Sequence, residues 1–342
     1  MKAFISSRIS ESWLERLAED FEIDYYNWFD TGMLGKDAFG KRMKDCQLVV
    51  VETEEIDGEM IQASKELFAI VNFKSSLVNI DVDAATEEGV VVINTPGRNA
   101  DAVADLAVGM MIMAARNVVA SLDTVRKGLW EKNGRRWAYT QHQGIELNGK
   151  IVGLVGLGHI GQLVARRLAG FGVKVLAYDP YVSPDVAEDL DVLLSGWDEL
   201  FEQADFLSLH IPVSEETKGL IGEREFKLMK PSAYFINTAR AAVVVEDDLI
   251  RCLQEKWIAG AALDVYHKEP VGNDYPLLNL PHVICTPHIG GASMDVVRHM
   301  AEIGLESLFE FMEGKHPVNI VNPQAIKEAQ SKIAKHIKEG AG

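Results

Sequence analysis

Three residues with acid, base or cationic side chains stand at or just past the ends of apolar runs in the second half of the chain. Arg240 follows AYFINTA, Glu269 lies five residues beyond Asp264, which closes AGAALD, and His288 closes VICTPH. Singly, each has an ordinary explanation: a solvated arginine, a loop glutamate ahead of Pro270, a histidine satisfied in a core. Together they form the set needed to oxidise an alcohol beside a carboxylate. An imidazole, with an ordinary pKa of about 6.5, can take the hydroxyl proton. A carboxylate can orient that imidazole and stabilise its charged form. A guanidinium can hold the substrate carboxylate with paired hydrogen bonds and polarise the C2 oxygen. His288, Glu269 and Arg240 are therefore the candidate catalytic residues, and Asp264 is expected against a nicotinamide carboxamide.

The electron acceptor for such a reaction has its own motif. GLVGLGHIGQLVARRL contains Gly156, Gly158 and Gly161 in the pattern G-x-G-x-x-G, after an apolar strand and ahead of an amphipathic helix. In that context Gly156 permits the tight turn, Gly158 admits a pyrophosphate, and Gly161 lets helix and strand pack closely. The pyrophosphate then meets the helix N-terminus, where free N–H groups and the dipole favour an anion. His159 and Ile160, between the glycines, belong to the same surface. Asp179 ends the next strand, KVLAYD, 18 residues after Gly161. Its carboxylate is placed for the ribose hydroxyls and would repel a 2′-phosphate, so the expected cofactor is NAD.

These residues require strands to carry them. Residues 2–94 alternate short apolar or β-branched runs (AFIS, EIDYY, QLVVVE, LFAIVNF, VVVIN) with stretches of helical spacing, the signature of βα units and a parallel sheet. The breaker NTPGRN marks a boundary. Residues 100–118 read as a helix apolar on most faces and buried, its methionines core filler. Residues 128–148 read as a polar loop with interspersed aromatics. A second βα series begins at Ile151, with strands KIVGLVG, KVLAYD, DFLSLHI, AYFINT, IAGAALDV and HVICTPH. A long amphipathic helix runs from Gly291 to about Gly314, and a polar tail with weak helical periodicity, read as a surface helix, follows Pro323.

The 342 residues suggest two domains. A net charge of −17 argues against nucleic-acid and anionic-membrane partners, which would repel the chain. Cys46, Cys252 and Cys285 are too few and too far apart for a disulfide framework or a metal site, and imply reduced thiols in a cytoplasmic protein. The N-terminus turns polar too early for a signal peptide, and no apolar stretch is long enough to span a bilayer.

The segments GLVGLGHIG, YDP, LMKPSAYFINTAR, AALDVYHKEP and TPHIGG together resemble the D-2-hydroxyacid dehydrogenase family, the group that includes D-3-phosphoglycerate dehydrogenase, from about Leu48 to Asn322. The resemblance implies an α/β architecture of two doubly wound parallel sheets, a Rossmann NAD-binding domain (101–290) inserted into a flavodoxin-like substrate-binding domain (1–100 and 291–330), with 331–342 as a tail. It implies an active site in the interdomain cleft. It also implies a homodimer, with the 100–118 helix and the 128–148 loop contributing; Arg135 and Arg136 in that loop either cap a cleft or face solvent. Arg240, Glu269 and His288 match the family's catalytic positions. HIPVSEET matches a cofactor-contacting segment, adding His210, Pro212 and Thr217; Thr238, Ala239 and Gly290 flank the catalytic positions and join the cofactor set. Where many relatives carry a glycine-rich substrate loop, this chain reads NFKSSLVNID. There the backbone N–H groups of Ser75, Ser76 and Leu77 can still hold a carboxylate, and Lys74 adds a positive charge. No metal is expected. The reaction class is the NAD-dependent interconversion of a D-2-hydroxy acid and its 2-oxo acid, with phosphoglycerate, a sugar acid, glyoxylate and lactate-type acids all open. A formate dehydrogenase shares the architecture but needs no such acid–base pair. A non-catalytic NAD(H) sensor can retain all three catalytic residues.

Overall fold

The structure is a computed structural model and describes residues 1–340. Contacts divide the chain into two compact units, Met1–Arg98 with the chain from Ser293 onward, and Asn99–Ala292.

The first unit is built on five parallel strands: β1 (Lys2–Ser6), β2 (Glu22–Tyr26), β3 (Leu48–Val51), β4 (Ala69–Asn72) and β5 (Val91–Ile93), in the order β2-β1-β3-β4-β5. That is the flavodoxin-like order. LVVV and AIVN, every residue buried, form β3 and β4 because helices cover both faces of the sheet. The returning segment contributes the helix Met294–Met312, which lies on β4 and β5. A Cβ at its Gly304 would come within 2.8 Å of Val71. Beyond it the side chain of buried Asn322 accepts from the Val92 N–H (2.8 Å), stitching the segment to the sheet.

The helix Ile326–Gly340 changes the reading of the C-terminus. Ala329 and Ile333, four residues apart, are buried in the first unit's core, and Lys332 Nζ donates to the carbonyls of Leu67 (2.8 Å) and Glu88 (2.7 Å). Through Gly340 the stretch read as a tail is thus part of this unit, while residues 341–342 lie outside the described residues.

The second unit carries seven parallel strands: β6 (Ile151–Val155), β7 (Lys174–Tyr178), β8 (Val192–Leu194), β9 (Phe206–Leu209), β10 (Tyr234–Asn237), β11 (Gly260–Leu263) and β12 (Val283–Cys285). Their order, β12-β11-β10-β9-β6-β7-β8, is the doubly wound Rossmann arrangement extended by one strand. β8, absent from the sequence pattern, has three residues, lies at the sheet edge and leaves Leu193 and Leu194 exposed, so it shows no clear period. The apolar helix Ala100–Ala115 packs on the helix His159–Leu168 and on β10 and β11, which explains why it is apolar nearly all round. Two residues beyond its end, Asn117 adopts φ 49° and turns the chain into the next helix.

Residues 128–148, read as a loop, are mostly helical. Helices Val118–Arg126 and Leu129–Gln141 form a hairpin, the second kinked at Gly134 (φ 82°). The hairpin is closed by a hydrogen bond of 2.8 Å between the Thr124 hydroxyl and the His142 ring. The mixed polar and aromatic sequence hid the helical period because no residue of the second helix is fully buried. Among the described residues, no single helix is long and apolar enough to cross a membrane.

Candidate active site

In the second unit every strand runs the same way, so the loops that follow the strands gather at one edge of the sheet. At the β6 end the chain turns through Gly156, with φ 97°, where a Cβ would lie 2.7 Å from Ile211 and 2.8 Å from the His210 carbonyl oxygen. Only glycine fits there without strain. A Cβ at Gly161 would fall 2.3 Å from the Gly156 carbonyl oxygen, so the helix His159–Leu168 approaches the turn as closely as backbone permits. At Gly158 the same test meets nothing within 4 Å. This glycine caps the helix without a side-chain hydrogen bond and leaves open space before the helix N-terminus. These residues fit a dinucleotide: a pyrophosphate can approach the backbone where a side chain would otherwise stand. His159 is exposed at the start of the helix, and Ile160 packs partly into the core.

Asp179 follows β7. Its Oδ2 accepts from the Leu157 N–H (2.8 Å), and Oδ1 accepts from the N–H groups of Tyr181 (2.9 Å) and Val182 (3.2 Å). The carboxylate thereby ties its own loop to the glycine-rich turn, and Oδ2 keeps a further acceptor direction. After β9, the Thr217 hydroxyl donates to the Pro212 carbonyl (2.7 Å) and shapes the loop between them. Both ring nitrogens of His210 are sealed from solvent with no partner among the described residues, as is the Thr238 hydroxyl. Burial pushes the His210 pKa down to about 4, so its ring is neutral.

Arg240 stands past β10, in a turn set by Asn237. The Asn237 side chain accepts from the Ala239 N–H (3.0 Å) and donates to the Arg240 carbonyl (3.1 Å). The Arg240 Nη1 donates to the Ala239 carbonyl (2.7 Å), leaving the guanidinium exposed. Glu269, in the loop after β11, accepts from the Tyr266 N–H at Oε1 (3.0 Å). Its Oε2 lies 2.6 Å from His288 Nδ1. Burial alone would raise the Glu269 pKa. The hydrogen bonds from His288 and the Tyr266 N–H, with the charges of His288 and Arg240, outweigh it and hold the carboxyl below its ordinary range. Arg240, Glu269 and His288 line one cavity of about 370 Å³, whose remaining wall is largely apolar and includes Val213, Ala241, Ala242 and Val265.

Asp264 lies apart from that cavity. It is wholly buried, and its carboxylate accepts three hydrogen bonds from the segment Thr286–Gly290. Gly290 is a member of that segment, its N–H given to Asp264. Asn237, Tyr266 and Thr286 support the site and escaped the sequence reading. Only Asn237 carried a local signal, an Asn at a strand end able to bond backbone two residues on.

In the first unit, Lys74–Leu77 form the loop after β4. The carbonyls of Lys74, Ser75 and Ser76 accept from the Thr95 N–H (3.0 Å), the Asn94 side chain (3.1 Å) and the Asn72 side chain (3.0 Å). With the carbonyls so engaged, the N–H groups of Ser75, Ser76 and Leu77 have no partner among the described residues.

Known proteins resemble this chain along nearly its whole length. Residues 108–290 match the model of the D-isomer specific 2-hydroxyacid dehydrogenase NAD binding domain. The chain is 38% identical over 327 residues to a glyoxylate reductase from Korarchaeum cryptofilum, covering 95% of this chain and 97% of the relative. A structure of a protein from Thermus thermophilus superposes with a TM-score of 0.79 at 33% identity, covering 94% of this chain and all of that one. The NAD-complexed form of a D-isomer specific 2-hydroxyacid dehydrogenase from Lactobacillus delbrueckii superposes with a TM-score of 0.80 at 26% identity, again covering 94% and 100%. Parallel-sheet units, the dinucleotide turn and these similarities define an NAD-dependent oxidoreductase acting on a CH–OH group. The chain belongs to the D-isomer specific 2-hydroxyacid dehydrogenase family.

Proposed function

We propose that the protein reduces a small 2-oxo acid to the D-2-hydroxy acid, with His288 as the acid–base group, Glu269 orienting it and Arg240 binding the substrate carboxylate. The 2.6 Å contact between His288 Nδ1 and Glu269 Oε2, in a cavity shared with Arg240, is the observation that carries this reading. The carboxylate accepts the Nδ1 proton and leaves Nε2 to exchange a proton with the substrate oxygen. When bound, the nicotinamide is the source or sink of the two electrons and one hydrogen exchanged at substrate C2. In reduction, His288 gives the oxygen its proton and Glu269 stabilises the imidazolium beforehand. Arg240, freed from the Ala239 carbonyl, offers two parallel N–H donors to the substrate carboxylate.

Gly156, Gly158, Gly161 and Asp179 are assigned to the cofactor, and the negative charge of Asp179 selects NAD over NADP. His159, Ile160, His210, Pro212, Thr217, Thr238, Ala239, Asp264 and Gly290 are assigned to the same surface. In the first unit, which we take as the substrate-binding domain, the free N–H groups of Ser75, Ser76 and Leu77, with Lys74, are assigned to the substrate's anionic end. Glyoxylate is the leading substrate, supported by relatives of that name that match nearly end to end. A homodimer is supported by Val119, Leu122 and Val125, which leave an apolar stripe 42–56% exposed on one helix of the hairpin. The unpaired Cys46, Cys252 and Cys285 suit a reducing, cytoplasmic compartment.

The test is turnover of NADH with a panel holding glyoxylate, hydroxypyruvate, pyruvate and phosphohydroxypyruvate. Rapid oxidation of NADH with one or more of these, glyoxylate foremost, is expected. Tight NADH binding with no turnover on any 2-oxo acid would instead establish a nucleotide sensor.

A further inference from the structure

We propose that Asn72 and Asn94 are positioning residues for the substrate: by holding the carbonyls of Ser76 and Ser75, they aim the N–H groups of the loop after β4 at the substrate carboxylate. Their role rests on the assignment of that loop to the substrate's anionic end given above.

A trans peptide unit is planar, with the C=O of one residue and the N–H of the next pointing in opposite directions. A carbonyl that is held therefore fixes the direction of the N–H that follows it. The Lys74 carbonyl accepts from the Thr95 N–H (3.0 Å), which sets the N–H of Ser75. The Ser75 carbonyl accepts from Asn94 Nδ2 (3.1 Å), which sets the N–H of Ser76. The Ser76 carbonyl accepts from Asn72 Nδ2 (3.0 Å), which sets the N–H of Leu77. Three consecutive carbonyls are thus clamped, and the three N–H groups that follow them are the ones without a partner among the described residues. Ser75 and Ser76 are exposed whereas Asn72 is wholly buried, so the bond from Asn72 draws the Ser76 carbonyl inward and turns the next N–H outward. Successive N–H groups presented in this way form an anion site.

Both asparagines are themselves fixed. Asn72 closes β4, and its side-chain NH2 group also donates to Asn79 Oδ1 (3.2 Å). Asn79, buried as well, donates to the Glu54 carbonyl (3.1 Å). With both amide hydrogens taken, Asn72 has no donor left for a ligand and acts only through the loop. Asn94 follows β5, the neighbour of β4, and its N–H donates to the Asn319 carbonyl (3.1 Å). The loop sequence KSSLVNI contains no glycine, and its carbonyl directions come from the ends of two adjacent strands.

Asn72→Ala, Asn94→Ala, the double variant and Ser76→Pro are compared with wild type in the full chain. KM is read for the 2-oxo acid of the panel above that the wild type reduces fastest. The dissociation constant of oxamate, an unreactive 2-oxo acid analogue, is read from the fluorescence of bound NADH. In Asn72→Ala the Leu77 N–H loses its set direction, and both constants should rise about tenfold, the worth of one hydrogen bond to a charged group. Because Arg240, Glu269 and His288 belong to the other unit, kcat should change by less than about threefold and the NADH dissociation constant by less than about twofold. Asn94→Ala, at a half-buried site, should raise both constants several-fold, and it carries the test if Asn72→Ala does not fold. The double variant should show roughly the product of the two effects. Unaltered oxamate binding in the folded asparagine variants, or a loss confined to kcat or to melting temperature, would overturn the inference. Ser76→Pro deletes the N–H that Asn94 aims. If it leaves KM and oxamate binding intact, or if the wild type binds no oxamate, the assignment of the loop to the substrate fails. If it weakens both while the asparagine variants do not, the positioning role alone fails.

Discussion

Two turns at the edge of the same sheet leave the ordinary backbone region in opposite ways. At Gly156 the chain can adopt φ 97° without strain because the residue has no Cβ. At His288 the chain adopts φ 53° although the residue has a large side chain, and a buried carboxylate from another strand end holds it. The cofactor cradle is thus encoded locally, in glycine spacing. The acid–base group is encoded at a distance, through Asp264, Glu269 and the parallel order of β11 and β12. Binding and chemistry should therefore be separable by substitution.

The largest separation is expected from His288→Ala. Loss of the proton carrier should lower kcat by about 1,000-fold while NADH affinity, measured by fluorescence titration, stays unchanged. Glu269→Gln keeps shape and removes charge, and steady-state kinetics should show kcat about 100-fold lower at neutral pH. Because Glu269 is held below its ordinary pKa, its ionised form and the benefit it brings are present at neutral pH. Both are lost as pH falls through the lowered pKa. Wild type and variant should accordingly converge in strongly acidic assays, and a constant ratio across pH would argue against the charge.

The glycine-rich turn allows the opposite test. Gly161→Ala forces a Cβ to within 2.3 Å of a carbonyl oxygen, so thermal denaturation should show destabilisation of about 1–3 kcal/mol. Gly158→Ala meets no protein atom and should leave the melting temperature unchanged while weakening NADH. Equal effects of the two on stability would contradict the assignment of the open space to a pyrophosphate. The smallest effect is expected at Asp179, where Ala should erode the ratio of NAD to NADP efficiency by about tenfold, or about 1.4 kcal/mol. An unaltered ratio would remove it as the selector.

What could be read from the sequence follows the same division. The glycine pattern, the continuous apolar runs of β3, β4 and β6, and the ends of the later strands are all local signals, and they define both parallel sheets. Candidate residues at strand ends were legible because parallel topology sends them to one edge. Their supports were not. Tyr266 and Thr286 act through backbone and hydroxyl contacts that have no spacing signature, and nothing local announces that the Asp264 carboxylate accepts from Thr286, Ile289 and Gly290. The 118–141 hairpin was missed for a different reason. Its helices bury little within this chain, so the apolar period that announces a helix is blurred by residues such as Val119, Leu122 and Trp130 that remain exposed.

The central claim is that Glu269 fixes the imidazole with Nδ1 toward the carboxylate and Nε2 toward substrate. Nitrogen-15 chemical shifts of histidine-labelled protein, with the His288 signals assigned by their loss in His288→Ala, report which nitrogen carries the proton in the neutral ring. A proton on Nδ1 is the expected result, and it should shift tautomer in Glu269→Gln. A neutral His288 protonated at Nε2 in the wild-type protein would contradict the account.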